Sequence, residues 1–229
     1  MKTNNLRHLG IILDGNRTRA RENGLLDFQW HQAWAKTVEN VVDRVNERAI
    51  ECLTLWTLSK DNLKKRDAKE VAEIIKLINS IESRLSKAIK NNIIFDTIWD
   101  LEELPEKSQK VLNNLRDKTA NNTWNRLTLA LNYWWQDEII RATKKIIESW
   151  IKPETLTIEE FRKYLDTDKL PPVDLIIRTW GHKRHSGFLL FDWEYSEYFF
   201  SDKNWPDFDE EELDKAIDTF NNSKRKFWK

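Results

Sequence analysis

Apolar and polar positions along this chain fall into blocks that switch between two periods. Leu9 to Leu13 is an unbroken apolar run that stops at Asp14-Gly15-Asn16. A short continuous run closed by turn residues predicts a buried strand. Similar signatures predict further strands over residues 51–58, 93–98, 126–133, Val173 to Thr179 and 188–192. Between them the period becomes helical. Ala35, Val38, Val41, Val42 and Val45 share one face of a helix over 31–48. Val71, Ile74, Ile75, Ile78, Ile81, Leu85 and Ile89 predict one long helix over 68–90. Pro105 suits a helix start, and the amphipathic pattern runs to Thr119. Further helices are predicted over 136–149, from Thr157 (with Glu160 completing a capping box) and from Glu210 to Lys226. Loops cover 17–29 and Ser59 to Arg66, and Ser149 to Pro153 reads as a linker. Strands alternating with helices predict an α/β fold: a single domain with a mostly parallel central sheet of about six strands flanked by helices.

In such a sheet, ligands bind beyond the carboxyl ends of the strands. Four predicted strand ends carry polar residues: Asp14 and Asn16, Ser59 and Asn62, Asn132, and Arg178. A parallel sheet brings them to one rim. Arg178, Lys183, Arg184 and Ser186 fall within nine residues, and forked guanidinium donors beside a hydroxyl suit phosphate. A solvated charged loop has the same composition, and Asp-Gly-Asn also suits a plain turn with Asp14 capping the next helix. Asp14 and Glu197 are candidates to share a divalent ion, since Mg²⁺ takes one or two carboxylates plus phosphate oxygens. His31 opens a helix, where an anion is favoured. Metal-thiolate spacing, a Walker glycine loop and a Ser-His-Asp order are all missing. From the residues alone, the site is a phosphate or diphosphate pocket with a carboxylate at its edge.

Composition narrows the partners. The 229 residues carry 38 acidic and 38 basic side chains, so no bulk field favours nucleic acid. No apolar run reaches membrane-spanning length, and the first residues lack the apolar core of a signal peptide. A lone Cys52 excludes an internal disulfide and suits a reducing cytoplasm.

Several blocks, in order and from about His8 onwards, resemble the cis-prenyltransferases typified by undecaprenyl diphosphate synthase. His8 to Arg17 is similar to the family's first strand and Asp-Gly-Asn motif, and Leu53 to Asn62 to its second strand and polar tail. Leu129 to Ile139 is similar to its Asn-Tyr-Gly-Gly block, Asp174 to Leu190 to its Arg-Thr-Gly-Gly block, and Asn204-Trp-Pro-Asp-Phe-Asp to its signature near the end. The resemblance implies Mg²⁺-dependent addition of isopentenyl diphosphate to an allylic diphosphate, farnesyl diphosphate being the expected primer, with each new double bond cis. It implies that Asp14 holds Mg²⁺ and assists diphosphate departure, with Glu197 completing the metal site. Gly15, Asn16, Arg17 and His31 would cradle the allylic diphosphate, and Ser59 would join the substrate site. Asn62 would sit near the reacting carbons. Arg178, Arg184 and Ser186 would bind isopentenyl diphosphate. A long polyprenyl product for an envelope lipid carrier, an apolar tunnel walled by the 68–90 seam, a homodimer and membrane contact through the lipid product follow from the same resemblance. Two rivals are a short-chain or irregular isoprenyl synthase of the same fold and a non-catalytic partner subunit. Such partners typically lose the carboxylate that Asp14 supplies here. Thr18, Asp27, Leu63, His182 and Gly187 depart from the family pattern.

One departure is systematic. Glycine occurs 5 times and tryptophan 12 times, whereas usual glycine usage would give roughly 16. Trp30, Trp34, Trp99, Trp124, Trp134, Trp135, Trp180 and Trp228 stand where family members typically have glycine, with Trp150 and Trp193 as plausible additions. Reading those ten as glycine raises glycine from 5 to 15 and leaves 2 tryptophans, Trp56 and Trp205. The expectation is a gene in which UGA encodes glycine; UGG codons at these positions would end it.

Overall fold

The computed structural model describes residues 6–24, 30–59, 68–98 and 101–223. The strands are β1 (His8–Ile12), β2 (Cys52–Trp56), β3 (Ile94–Ile98), β4 (Arg126–Ala130), β5 (Leu175–Arg178) and β6 (Glu197–Phe200). They form one six-stranded sheet in the order β3-β4-β2-β1-β5-β6, and every neighbouring pair is parallel. The apolar runs explain this. All five residues of β1 and all four of β5 are buried, as a parallel strand covered on both faces requires.

Alternate residues feed opposite faces. Leu9, Ile11, Leu175 and Ile177 join one apolar cluster, which takes in Val38, Val41, Val42 and Val45. Ile12 and Ile176 join the other, with Tyr133, Phe188 and Leu189. The first cluster packs beneath α2 (His31–Glu47), which follows the short α1 (Asn16–Glu22). Between β2 and β3 run α3 (Ala68–Asn79), α4 (Ile81–Arg84) and α5 (Ser86–Lys90). Next come α6 (Glu106–Thr119), α7 (Trp135–Glu148), α8 (Ile158–Arg162) and α9 (Glu210–Asn222). Thr157 caps α8 as expected, accepting from the Glu160 amide at 3.2 Å.

Three expectations are corrected. The loop expected over 17–29 opens with a helix, α1 (Asn16–Glu22). The single helix over 68–90 is three helices, broken at Ser80 and Leu85. The Ser80 hydroxyl donates back to the Leu77 carbonyl at 3.0 Å and so competes with helix continuation. The apolar seam survives the breaks: Ile74, Ile78, Ile81 and Leu85 are all buried. Residues 188–192 form turns rather than a strand. Positive φ angles at Gly187 (79°) and Leu189 (51°) rule out extended backbone there. The sixth strand is Glu197–Phe200, whose residues are only partly buried, as at a sheet edge.

His8 ties three segments together. Its Nδ1 lies 2.7 Å from the Pro171 carbonyl and its Nε2 2.8 Å from the Thr54 hydroxyl. That pairing assigns a neutral ring donating from Nδ1 and accepting at Nε2. Burial pushes its pKa down to about 4. The unfolded chain therefore takes up the proton first, and the stability His8 contributes drains away as pH falls from about 6.5 towards 4. Equilibrium unfolding of His8→Gln should show a shallower loss of stability over that window than the unchanged protein; identical slopes would contradict the burial of a neutral ring.

Among the expected glycine positions, Trp150 (φ 58°) and Trp180 (φ 71°) adopt the left-handed backbone. That region costs a residue with a Cβ about 1–2 kcal/mol, and glycine avoids the cost at some loss of chain entropy. Trp150 is 90% exposed, so its indole contributes little packing in return. Trp150→Gly should raise stability by about 0.5–1 kcal/mol and Tm by about 1–4 °C. The same change at exposed Trp124, which lies outside the left-handed region, should give no rise; a Tm gain at 124 but not at 150 would contradict the backbone argument.

Candidate active site

The site begins where β1 ends. Ile12 pairs with Arg178 in the β1/β5 ladder, so the chain leaving β1 passes directly over the end of β5. Thr179 pins the next turn: the Asp14 amide donates to its hydroxyl at 2.9 Å, and that hydroxyl donates to the Asp14 carbonyl at 2.7 Å. The Asp14 side chain then meets Arg178. Nε and Nη2 of Arg178 donate to Asp14 Oδ2 at 2.9 and 2.6 Å. Nη1 donates to the Ser186 hydroxyl at 2.7 Å and to the Arg184 carbonyl. Arg178 is 4% exposed. Burial lowers its pKa from the usual arginine value, and the Asp14 carboxylate opposes that shift. Asp14 Oδ1, in contrast, has no hydrogen bond to the described residues.

A second strap closes the loop from the C-terminal side. The Trp205 amide donates to the Asp14 carbonyl at 2.9 Å. Gly15 has φ 93°, and a Cβ there would lie 2.4 Å from Asn204 Oδ1 and 3.0 Å from Asn204 Cα. Only glycine fits that approach. Asn16 donates from Nδ2 to the Leu13 carbonyl at 2.8 Å and fixes the first residue of α1.

These residues border a cavity of about 620 Å³ lined by Asp14, Gly15, Asn16, Arg17, Ser59, Arg178, Arg184 and Ser186. The volume is typical of a small-molecule site. Residues from three of the four expected strand ends thus meet at one rim. Trp30, Trp134 and Trp180 also line it. Trp135 lies against Gly187, where a Cβ would fall 1.9 Å from its Cδ1.

Other candidates fall elsewhere. Asn132 is buried and donates to Glu103 Oε2 at 2.6 Å. Lys183 is exposed and is not part of the lining. Arg17 reaches the rim, but its guanidinium pairs with buried Glu70, with Nε at 3.1 Å. Glu197 is not brought to Asp14. It pairs in register with Leu175, three residues before Arg178, which is about 10 Å along the sheet; it accepts instead from the Ser223 hydroxyl at 3.3 Å. Asn62, Asp27 and Leu63 lie outside the described residues, as does the His31 side chain. Thr179, Asn204 and Thr57 were missed by sequence reasoning. Thr179 carried a usable signal, a hydroxyl one residue beyond a buried strand arginine; Asn204 opens a signature block in the sequence, but only tertiary packing reveals its contact with Gly15.

Comparison with known proteins settles the lineage. A family model described as "Putative undecaprenyl diphosphate synthase" matches residues 12–228. The chain belongs to this prenyltransferase family. An isoprenyl transferase of Clostridium perfringens is 37% identical, the alignment covering 96% of this chain and 89% of the relative. A ditrans,polycis-undecaprenyl-diphosphate synthase ((2E,6E)-farnesyl-diphosphate specific) of Buchnera aphidicola is 36% identical over 97% of this chain and 91% of its own length. Among solved structures, lavandulyl diphosphate synthase from Lavandula x intermedia in complex with dimethylallyl diphosphate superposes with TM-score 0.91 at 27% identity, covering 96% and 97% of the two chains. The protein is therefore a transferase of the isoprenyl diphosphate synthase type. No helix among the described residues is long and apolar enough to cross a membrane.

Losing Asp14 leaves Arg178 buried without its carboxylate. Breaking such a pair from one side is costly, here about 2–3 kcal/mol given the partial exposure of Asp14. Urea unfolding of Asp14→Ala should show that loss; unchanged stability would mean that the pair does not form in solution.

Proposed function

We propose that the protein condenses isopentenyl diphosphate onto an allylic diphosphate, with farnesyl diphosphate as primer, and builds a long-chain polyprenyl diphosphate for a lipid carrier. The single observation that carries this reading is the meeting of Asp14, Arg178, Arg184 and Ser186 on one polar cavity. The guanidinium of Arg184 and the hydroxyl of Ser186 are free to turn their donors to a diphosphate, and Arg178 beneath them fixes the Ser186 hydroxyl. The backbone turn at Gly15 and Asn16 borders the same space and suits the second diphosphate. Asp14 Oδ1, which has no hydrogen bond to the described residues, suits Mg²⁺, which accepts one carboxylate when phosphate oxygens and water complete its shell. Bound there, the ion would supply charge neutralisation as the allylic C–O bond breaks. No cluster of three acidic, His or Cys side chains stands ready for it among the described residues, and within one chain Glu197 does not join Asp14. From the resemblance alone we assign Asn62 to the reacting carbons and His31 to the allylic diphosphate, whereas Ser59 and Arg17 also line the cavity. We further assign a homodimer, a cytoplasmic location and peripheral membrane contact through the product.

A second reading has support of its own. The likeness to lavandulyl diphosphate synthase fits a short-chain or irregular product. A non-catalytic partner role is disfavoured, because Asp14 and its arginine are both kept.

The left-handed backbone at Trp150 and Trp180 supports glycine at those two positions in the organism's own protein, and the composition supports it at the other eight. The gene's codons, or the masses of peptides from the native protein, decide that point.

Purified protein incubated with labelled isopentenyl diphosphate, farnesyl diphosphate and Mg²⁺ should transfer label into an organic-soluble product, and EDTA should stop it. Arg184→Ala should raise the KM for isopentenyl diphosphate by about 10- to 100-fold, the worth of one charge-assisted contact. Label that stays water-soluble under all conditions would overturn the reading.

A further inference from the structure

Between Arg184 and Ser186, the two residues that face isopentenyl diphosphate in the reading above, stands His185. It is half-buried and is not part of the cavity lining. Its Nδ1 lies 2.9 Å from the amide nitrogen of Gly187. The donor is a backbone N–H, so Nδ1 accepts and carries no proton. The His185 carbonyl accepts in turn from the Phe188 amide at 3.0 Å. His185 therefore closes the turn around Ser186 twice, with its side chain and with its backbone. The turn needs closing. Ser186 has φ 52° and Gly187 φ 79°, and a serine keeps a left-handed backbone only where its surroundings hold it. Gly187 is buried, and a buried amide left without an acceptor is costly. In this conformation the Ser186 hydroxyl accepts from Arg178 Nη1 at 2.7 Å, which leaves its own hydrogen to be donated towards the cavity.

Resting on the prenyl-transfer reading above, we propose that His185 is a positioning residue for isopentenyl diphosphate: by accepting the Gly187 amide at Nδ1 it holds Ser186 in the left-handed turn that aims its hydroxyl at the diphosphate. It acts through Ser186. Its ring stacks on Trp193, with centroids 4.9 Å apart and 29° between the planes. That stacking is the competing reason for a ring at this position, and it is separable from the acceptor.

Three variants make the separation. His185→Asn keeps an acceptor at the place of Nδ1, since an asparagine oxygen reaches the amide two residues on. His185→Gln moves that oxygen one bond further out, and His185→Phe keeps a stacked ring with no acceptor. Isopentenyl diphosphate is titrated against each by calorimetry, with Mg²⁺ and without an allylic primer, so that no bond forms. The unchanged and Asn proteins should agree in Kd within about twofold, and the Gln and Phe proteins should bind about 3- to 10-fold more weakly, the worth of one hydrogen bond. With farnesyl diphosphate added, Gln and Phe should raise the KM for isopentenyl diphosphate by the same factor and leave kcat and the KM for farnesyl diphosphate unchanged, as loss of uniform binding does. Equal affinity in all four proteins, or an Asn protein as weak as the Phe protein, would overturn the positioning role and leave the prenyl-transfer reading standing. So would a fall in melting temperature and kcat with KM unchanged, the mark of a merely structural contact; the Gln protein carries the comparison should the Phe protein not fold. An unchanged protein that binds no isopentenyl diphosphate would overturn the prenyl-transfer reading, and the positioning role with it.

Discussion

The contact between Asp14 and Arg178 is the constraint on which the rest of the site depends. It spans two neighbouring strands whose register places Ile12 opposite Arg178, so the carboxylate and the guanidinium leave the sheet side by side. A guanidinium buried this deeply needs a partner. Asp14 supplies it with one oxygen and leaves the other towards the cavity. The arginine in turn fixes the loop carrying Arg184 and Ser186 through the Ser186 hydroxyl and the Arg184 carbonyl. Displacement of a diphosphate needs fixed donors more than it needs moving parts, and this chain of contacts provides them before any substrate arrives.

The surrounding fold explains why those groups can be held still. The β1 strand is central in the sheet, with β2 on one side and β5 on the other, and the clusters on both faces bury it completely. Thr179 and Trp205 then grip the Asp14 backbone from β5 and from the C-terminal segment. Asn204 packs so closely on Gly15 that the turn admits no side chain. Functional loops are usually less well determined than this; here three separate segments fix one turn. The apolar side of the site is built differently. Short helices α3, α4 and α5 keep a continuous seam while breaking their backbone, and that seam faces α2 across a small apolar cavity.

Much of this was legible in the sequence because both faces of the sheet are covered. Five strands announced themselves as apolar runs, and Asp14, Ser59 and Arg178 could be placed at their ends. The sixth could not. Glu197 to Phe200 forms an edge strand with partly buried residues, and the more apolar stretch 188–192 is a buried turn whose backbone angles no periodicity reveals. The break at Ser80 was likewise hidden, since the seam of Ile74, Ile78 and Ile81 continues through it. Of the site residues, Arg17 was placed correctly at the rim, but its pairing with Glu70 joins residues 53 positions apart, which no local pattern encodes. Glu197 was paired with Asp14 on carboxylate chemistry and on the resemblance, and the register of β6 places it at the far end of its strand, paired with Leu175. The tryptophans were legible as an anomaly of composition; the backbone then singled out Trp150 and Trp180 from the rest.

The account turns on a diphosphate meeting these groups in one place. A crystal structure of the protein with isopentenyl thiolo-diphosphate and Mg²⁺ measures this directly. The account predicts diphosphate oxygens within hydrogen-bonding distance of Arg184 and Ser186, with Asp14 Oδ1 turned towards the metal and Arg178 still beneath them. A diphosphate bound away from that rim, with Asp14 and Arg178 closed on each other as before, would contradict it.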